Sequence, residues 1–191
     1  MLQSHKQNIM STFLALLRGI NVSGKKIIKM EDLRMLLGDA GYTNVKTYIQ
    51  SGNVIFDSAE TSKDKLARDI EALLEKQYGF DVTVFVTDKQ SVEQAIDNNP
   101  FTGGREEEPS GFKKLYVTFL SDVPSDENKE KLRQAPVGDD LIEFSGNILY
   151  FKLESKVSDS KLSNALIESK LKLRATSRNW NTTLKLLSMM E

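Results

Sequence analysis

The chain has 191 residues, 39% of them hydrophobic and 28% charged, with a formal net charge of -1. This is the composition of an ordinary globular protein with room for one large or two small domains. It has no cysteine, which excludes a disulfide framework, a thiol nucleophile and thiolate metal sites, and its single histidine, His5, lies in a polar N-terminal leader, which sets aside His-rich zinc sites, Ser-His-Asp triads and His-centred acid-base catalysis.

In chain order, residues 1–10 read as a flexible leader with Met10 as an alternative start, and the leader lacks the apolar centre of a signal sequence. Thr12 to Leu17 is a continuous apolar run, the pattern of a buried strand. The turn formers Asn21, Ser23 and Gly24 follow. Then Met30, Leu33, Leu36, Leu37 and Ala40 recur at helical spacing as far as Gly41, with Glu31 and Asp32 in the first turn where the helix dipole favours them. Val45 to Gln50 and Asn53 to Asp57 predict a hairpin around Ser51-Gly52. A helix capped by Thr61 or Ser62 carries Leu66, Ile70, Leu73, Leu74 and Tyr78 and closes at Gly79, and Val82 to Thr87 is a fourth strand. The order β-α-β-β-α-β over residues 11–88 is the split βαβ arrangement of ferredoxin-like domains.

Asp88 caps a short helix holding Val92, Ala95 and Ile96, and the Gly- and Pro-rich stretch from Pro100 to Phe112, with Glu106-Glu107-Glu108, completes a connection over residues 89–112. The acidic run reads as a solvated loop. Residues 113–191 repeat the pattern. A strand from Lys114 to Leu120 precedes a helix opened by Pro124-Ser125-Asp126-Glu127, and a hairpin from Leu141 to Leu153 turns at Ser145-Gly146-Asn147. A helix capped by Ser158 turns Leu162, Ala165, Leu166 and Ile167 inward. A short strand from Lys172 to Thr176 leads to a C-terminal helix begun near Ser177 or Asn179 and carrying Trp180, Leu184 and Leu187.

The two hairpins echo each other: Ile49-Gln50-Ser51-Gly52-Asn53-Val54-Ile55-Phe56 returns as Glu143-Phe144-Ser145-Gly146-Asn147-Ile148-Leu149-Tyr150. The expected fold is therefore α+β: two ferredoxin-like βαββαβ halves related by internal duplication, each an antiparallel sheet with helices packed on one face. No run approaches the roughly 18 apolar residues of a spanning helix, so the expectation is a cytoplasmic protein with no membrane partner, a monomer or weak homodimer.

Arg18 to Lys26 follows a strand and precedes a helix, the placement of a phosphate-binding loop. Gly19 and Gly24 followed by Lys25-Lys26 nonetheless match neither the Walker nor the Rossmann spacing. What remains is a basic loop whose amides and cations can meet an anion, against the reading of a solvated loop with no ligand. At the other end, a helix begun at Ser177 or Asn179 offers free N–H groups beside Arg178. The alternative there is that Trp180 anchors the helix while Asn179, Asn181 and Thr182 cap it, and this is favoured. Gln50 and Asn53 either read a ligand's amide or carboxylate or satisfy their own turn.

Leu17-Arg18-Gly19-Ile20-Asn21-Val22, Thr47-Tyr48-Ile49-Gln50-Ser51-Gly52-Asn53-Val54-Ile55-Phe56 and Arg178-Asn179-Trp180-Asn181-Thr182 with Lys185-Leu186 resemble a family of bacterial proteins known as domain of unknown function 1697. Ser23 stands where that family usually has Gly. The resemblance implies a duplicated ferredoxin-like architecture and brings no activity, substrate or cofactor. Its motifs fall on polar side chains, whereas motifs required for a core consist mainly of apolar residues and glycines. The expected ligand-binding residues are therefore Arg18, Asn21, Lys25, Lys26, Gln50, Asn53, Arg178, Asn179, Asn181 and Lys185, with no metal, no identified cofactor and no catalytic assignment. The leading function is binding of a small anion, a nucleotide or phosphorylated metabolite, in a basic polar cleft. Single-stranded nucleic-acid binding is an alternative disfavoured by the absence of the RNA-recognition aromatic run. An enzyme without His or Cys chemistry is the other, with acid-base work left to Asp, Glu, Lys or Tyr.

Overall fold

The structure, a computed structural model, describes residues 9–109, 114–154 and 160–191, and the chain divides between Lys89 and Gln90 into two compact units. The first unit runs β1 (Ser11–Leu17), α1 (Met30–Asp39), β2 (Thr43–Tyr48), β3 (Asn53–Ser58), α2 (Lys63–Tyr78) and β4 (Val84–Asp88). After α3 (Lys89–Asp97), the second runs β5 (Leu115–Leu120), α4 (Asp126–Arg133), β6 (Leu141–Ser145), β7 (Ile148–Lys152), α5 (Asn164–Leu171), β8 (Ala175–Asn179) and α6 (Trp180–Met189). Each unit has one four-stranded antiparallel sheet, ordered β2-β3-β1-β4 in the first and β6-β7-β5-β8 in the second. This is the duplicated ferredoxin-like arrangement that the sequence predicts. None of the described helices is long and apolar enough to cross a membrane.

In the first unit Phe13, Ala15 and Leu17 on one face of β1 join Val54 and Phe56 of β3. Against them α1 turns Met30, Leu33 and Leu37, and α2 turns Leu66, Ile70 and Leu74. Residues three and four apart share a helix face, and each fully buried leucine or isoleucine contributes about 2 kcal/mol. Ser62 caps α2 by accepting from Lys65 N, and Gly79 ends it in the left-handed region at φ 74. The second unit builds its helix-facing core from Leu120, Leu149, Phe151, Ile167, Leu171 and Ala175, with Tyr116 stacked on Phe151 at 4.7 Å.

Several boundaries differ from the sequence reading, among them β2, which covers Thr43–Tyr48 rather than Val45 to Gln50. The cap of α5 is Ser163, which accepts from Leu166 N, whereas Ser158 lies outside the described residues. Strand β4 begins at Val84 rather than Val82, where its pairing with β1 ends at Leu17, and Glu71 on α2 accepts the Val84 N–H at 2.9 Å. Strand β8 begins at Ala175 rather than Lys172, where its pairing with β5 ends at Leu120, and Glu168 on α5 accepts the Ala175 N–H at 2.9 Å. Lys172, at φ 58, belongs to the turn that ends α5.

The echo itself is out of register. Leu17 N donates to Gly52 O at 2.8 Å, and its counterpart Leu120 N donates to Asn147 O at 3.0 Å. Leu16 pairs with Asn53 where Phe119 pairs with Ile148. Gly52 therefore corresponds to Asn147 and Phe56 to Phe151, one residue off the sequence match. The cause is the turn: β2 and β3 close through residues 49–52 across the Tyr48–Asn53 pair, while β6 and β7 close through Gly146-Asn147 across the Ser145–Ile148 pair. A one-residue slip sends a side chain to the other face. Phe56 thus packs with the helices, whereas Tyr150 faces away from them and donates its hydroxyl to Ala95 O of α3 at 2.8 Å.

The two motif glycines are consequently unequal. A Cβ on Gly52, at φ +76, would meet Leu17 Cβ at 2.7 Å and Ile20 Cδ1 at 3.0 Å, while one on Gly146, at φ +57, would meet nothing within 4 Å. Gly52→Ala combines a left-handed alanine with overpacking and is expected to lower stability by about 3 kcal/mol, against about 1 kcal/mol for Gly146→Ala. Urea unfolding midpoints of the two variants decide the order, and equal losses would contradict it.

Burial pushes the Tyr150 hydroxyl up to about 12. A phenol whose folded pKa is raised contributes stability that is complete below pH 10 and disappears as the pH climbs toward 12. Tyr150→Phe is expected to remove that part of the alkaline loss between pH 10 and 12. It also leaves Ala95 O without its donor, at about 1 kcal/mol at neutral pH. Tyrosinate absorbance and stability measured across this range test both.

Candidate functional site

The first unit gathers six of the predicted residues at the end of its sheet, where β1 delivers the chain into the 18–29 loop. Asn21 is the organiser. Its Oδ1 accepts from Ile28 N at 2.9 Å, and its Nδ2 donates to Ile28 O at 2.9 Å and to Gln50 O at 2.8 Å. One amide thus closes the loop on itself and ties it to the β2–β3 turn. Asn21 N also donates to Lys26 O at 3.1 Å, Lys25 N to Val22 O at 3.0 Å, and Arg18 N to Thr83 O at 2.9 Å. Ile20 and Ile28 are buried beneath, so the loop is anchored from within as well as at its base.

Asn53 secures the turn on the other side. Fully buried, it donates through Nδ2 to Tyr48 O at 3.0 Å and Ser51 Oγ at 2.9 Å. Lys26 turns away toward the end of α2, where its ammonium meets Asp81 O, stands 3.8 Å from Asp81 Oδ1 and lies 5.9 Å from the centre of the Phe80 ring. Lys25, Lys29 and Gln50 are exposed and Arg18 is half-buried. Asn21, Lys26 and Asn53 therefore shape the site, while Arg18, Lys25, Lys29 and Gln50 give it an accessible cationic and amide surface. Lys29 was not singled out as a ligand residue from sequence, although the run from Arg18 to Met30 contains no acid.

The geometry of this tip is unusual for side chains other than glycine. Asn21 (φ 54), Ser23 (φ 51), Lys26 (φ 47) and Ile49 (φ 48) all take the left-handed conformation. Asn tolerates that region, but for β-branched Ile49 it is a strained outlier. Ser23 and Gly24 (φ 73) adjoin, two left-handed residues that reverse the chain so that Lys25 N donates to Val22 O at 3.0 Å.

The four predicted residues of the second unit sit on β8 and α6, and the structure revises how they were expected to act. Ser177 and Arg178 belong to the strand, not to a helix start. Arg178 is buried and donates through Nη1 to Thr176 Oγ1 and Ser177 O, both at 2.9 Å. Burial draws its pKa down to about 10, which leaves it charged at neutral pH. Asn179 caps α6 by accepting from Thr182 N at 2.8 Å. Asn181 grips the backbone of Glu108 in both directions, accepting its N–H at 2.8 Å and donating to its carbonyl at 2.9 Å. Fully buried Trp180 adds a donation to Glu106 O at 2.8 Å. The capping and anchoring reading of this segment thus describes the hydrogen bonds of Asn179, Trp180 and Asn181, and Lys185 stands exposed on α6. Among the described residues no group of three His, Cys, Asp or Glu side chains could hold a metal ion.

The comparison of Asn21→Asp with Asn21→Ala tests the organiser directly. Aspartate keeps the acceptor for Ile28 N but faces Ile28 O and Gln50 O with a second oxygen, so it is expected to destabilise at least as much as alanine, by about 2–3 kcal/mol. Faster amide exchange confined to residues 20–28 and 49–52 is the expected local signature, and a wild-type exchange pattern would remove Asn21 from this role.

Comparison with known proteins adds the following. The family model described as protein of unknown function (DUF1697) matches residues 10–150. Among solved structures, the conserved bacterial protein SP0830 from Streptococcus pneumoniae superposes with a TM-score of 0.72 at 24% identity, covering 96% of this chain and 100% of that one. At that identity the likeness concerns the fold. No curated protein matches.

Proposed function

Since this chain belongs to the DUF1697 family, whose description carries no activity, we propose a function from its own residues: it binds a small anionic ligand, a nucleotide or phosphorylated metabolite, at the cationic tip of its first unit. The observation that carries this reading is the Asn21 side chain, which holds an acid-free basic loop against the hairpin turn through three hydrogen bonds. A loop already fixed loses little conformational entropy when a ligand arrives.

Arg18 supplies a planar fork suited to phosphate or carboxylate, Lys25 and Lys29 supply point charges, and the Gln50 amide offers both a donor and an acceptor. Backbone strain concentrated in the same two segments is the kind of feature that functional sites retain. Asn21 and Asn53 act as positioning residues, and Lys26 fastens the loop to residues 80–81.

Isothermal titration of the full chain against nucleotides and phosphorylated metabolites tests the reading. A signal that weakens with added salt is expected, and Lys25→Glu is expected to raise Kd about tenfold. Lys25 is exposed, so thermal unfolding of that variant should match the wild type. Binding unaltered by the charge reversal, or no binding across the panel, would refute the proposal.

A further inference from the structure

The acidic strap of the second unit, residues 105–109, is held by its backbone rather than by a core. None of its side chains is buried and, apart from Pro109, none is apolar. Two side chains from the first turn of α6 grip it instead. Trp180 Nε1 donates to Glu106 O at 2.8 Å, while Asn181 accepts from Glu108 N at 2.8 Å and donates to Glu108 O at 2.9 Å. Backbone groups of alternate residues, 106 and 108, thus face one partner, which is how the edge of an extended chain is read.

One strap side chain is read as well. Glu108 Oε2 accepts from Lys114 N at 3.1 Å and from Leu115 N at 3.2 Å, where β5 begins. Upstream, Arg105 forks onto Asp97 of α3 through Nε at 2.9 Å and Nη2 at 3.0 Å. Lys185 is exposed one turn beyond Asn181 on the same face of α6. Contacts made to backbone accept many sequences, and a segment held by polar contacts alone opens while the sheet beside it stays folded.

We propose that the start of α6 is a peptide clamp occupied in cis by the strap, and that its partner in trans is an extended acidic peptide with a glutamate where the strap carries Glu108. Trp180 and Asn181 read the backbone of that peptide, the Lys114 and Leu115 amides donate to its glutamate, and Lys185 adds a cation along the same helix face. The strap competes as a tethered segment at high effective concentration and so keeps the clamp closed to weak ligands. This site belongs to the second unit alone and does not depend on the anion-binding reading of the first.

Glu108→Ala loosens the strap and leaves the clamp residues in place. Trp180, the only tryptophan of the chain, reports on the site by its fluorescence. The capped hexapeptide Gly-Arg-Glu-Glu-Glu-Pro, the sequence of residues 104–109, is titrated into the full chain. It is expected to bind the Glu108→Ala variant about tenfold more tightly than the wild type. Binding is expected to disappear when Asn181→Ala is added, or when lysines replace the three glutamates of the peptide, and circular dichroism checks that each variant folds. No binding to Glu108→Ala, equal binding to the wild type, or binding that survives Asn181→Ala would overturn the clamp. Hydrogen exchange tests the opening without any substitution: in the wild type the Glu108 amide is expected to exchange about tenfold faster than the Val117 and Thr118 amides inside β5. Equal protection of the three would overturn the proposal as well.

Discussion

The first unit depends on one close approach, between the end of the central strand β1 and the backbone of Gly52. Leu17 N donates to Gly52 O at 2.8 Å, and the two residues pack so closely that a Cβ on Gly52 would lie 2.7 Å from Leu17 Cβ. This contact fixes where β1 stops and brings the β2–β3 turn beside the loop that leaves the strand. The amide of Asn21 then joins the two by bonding to the Gln50 carbonyl. Lys25 and Lys29 lie on the loop that these two contacts hold, while Lys26 is fastened to Asp81 and the Arg18 N–H to Thr83 O. The glycine is a packing requirement, and the polar surface is its consequence.

The duplicated unit shows what happens without that requirement. There the corresponding backbone position is Asn147, the turn is shortened to Gly146-Asn147, and only residues 121–125 separate β5 from α4. Residues 18–29 separate β1 from α1. With a short loop and a tight turn, the side-chain link of the second unit runs from the turn instead: Asn147 Nδ2 donates to Leu120 O at 3.4 Å, at the end of β5. That unit devotes its own polar motif to fastening Glu106 and Glu108 onto the start of α6. Two units of one topology therefore place their polar side chains in different service.

Much of the architecture was legible because it rests on local rules. Spacing of leucines and isoleucines marked α1 and α2, Ser62 and Ser125 marked helix starts, and Gly79 marked an end. The failures have a common physical cause. The starts of β4 and β8 are set by where pairing with β1 and β5 ends, at Leu17–Val84 and Leu120–Ala175, partners far apart in sequence. Ser163 caps α5, a helix whose short apolar pattern left its start unmarked. The echo looked like a residue-by-residue match because Ser-Gly-Asn is a turn sequence that suits hairpins of either length, whereas register is decided by which residues pair across the strands.

The polar motifs were legible in the sequence, but the role of each side chain in them was not. Asn, Arg and Gln are equally able to bind a ligand and to satisfy backbone, and composition does not separate the two. Burial does. Asn53 at zero exposure and Asn179 at a helix cap have their polar atoms committed to the fold, while Gln50, Lys25 and Lys29 remain exposed. A polar motif of this kind therefore mixes side chains that build the fold with side chains that stay exposed, and only the folded chain separates them.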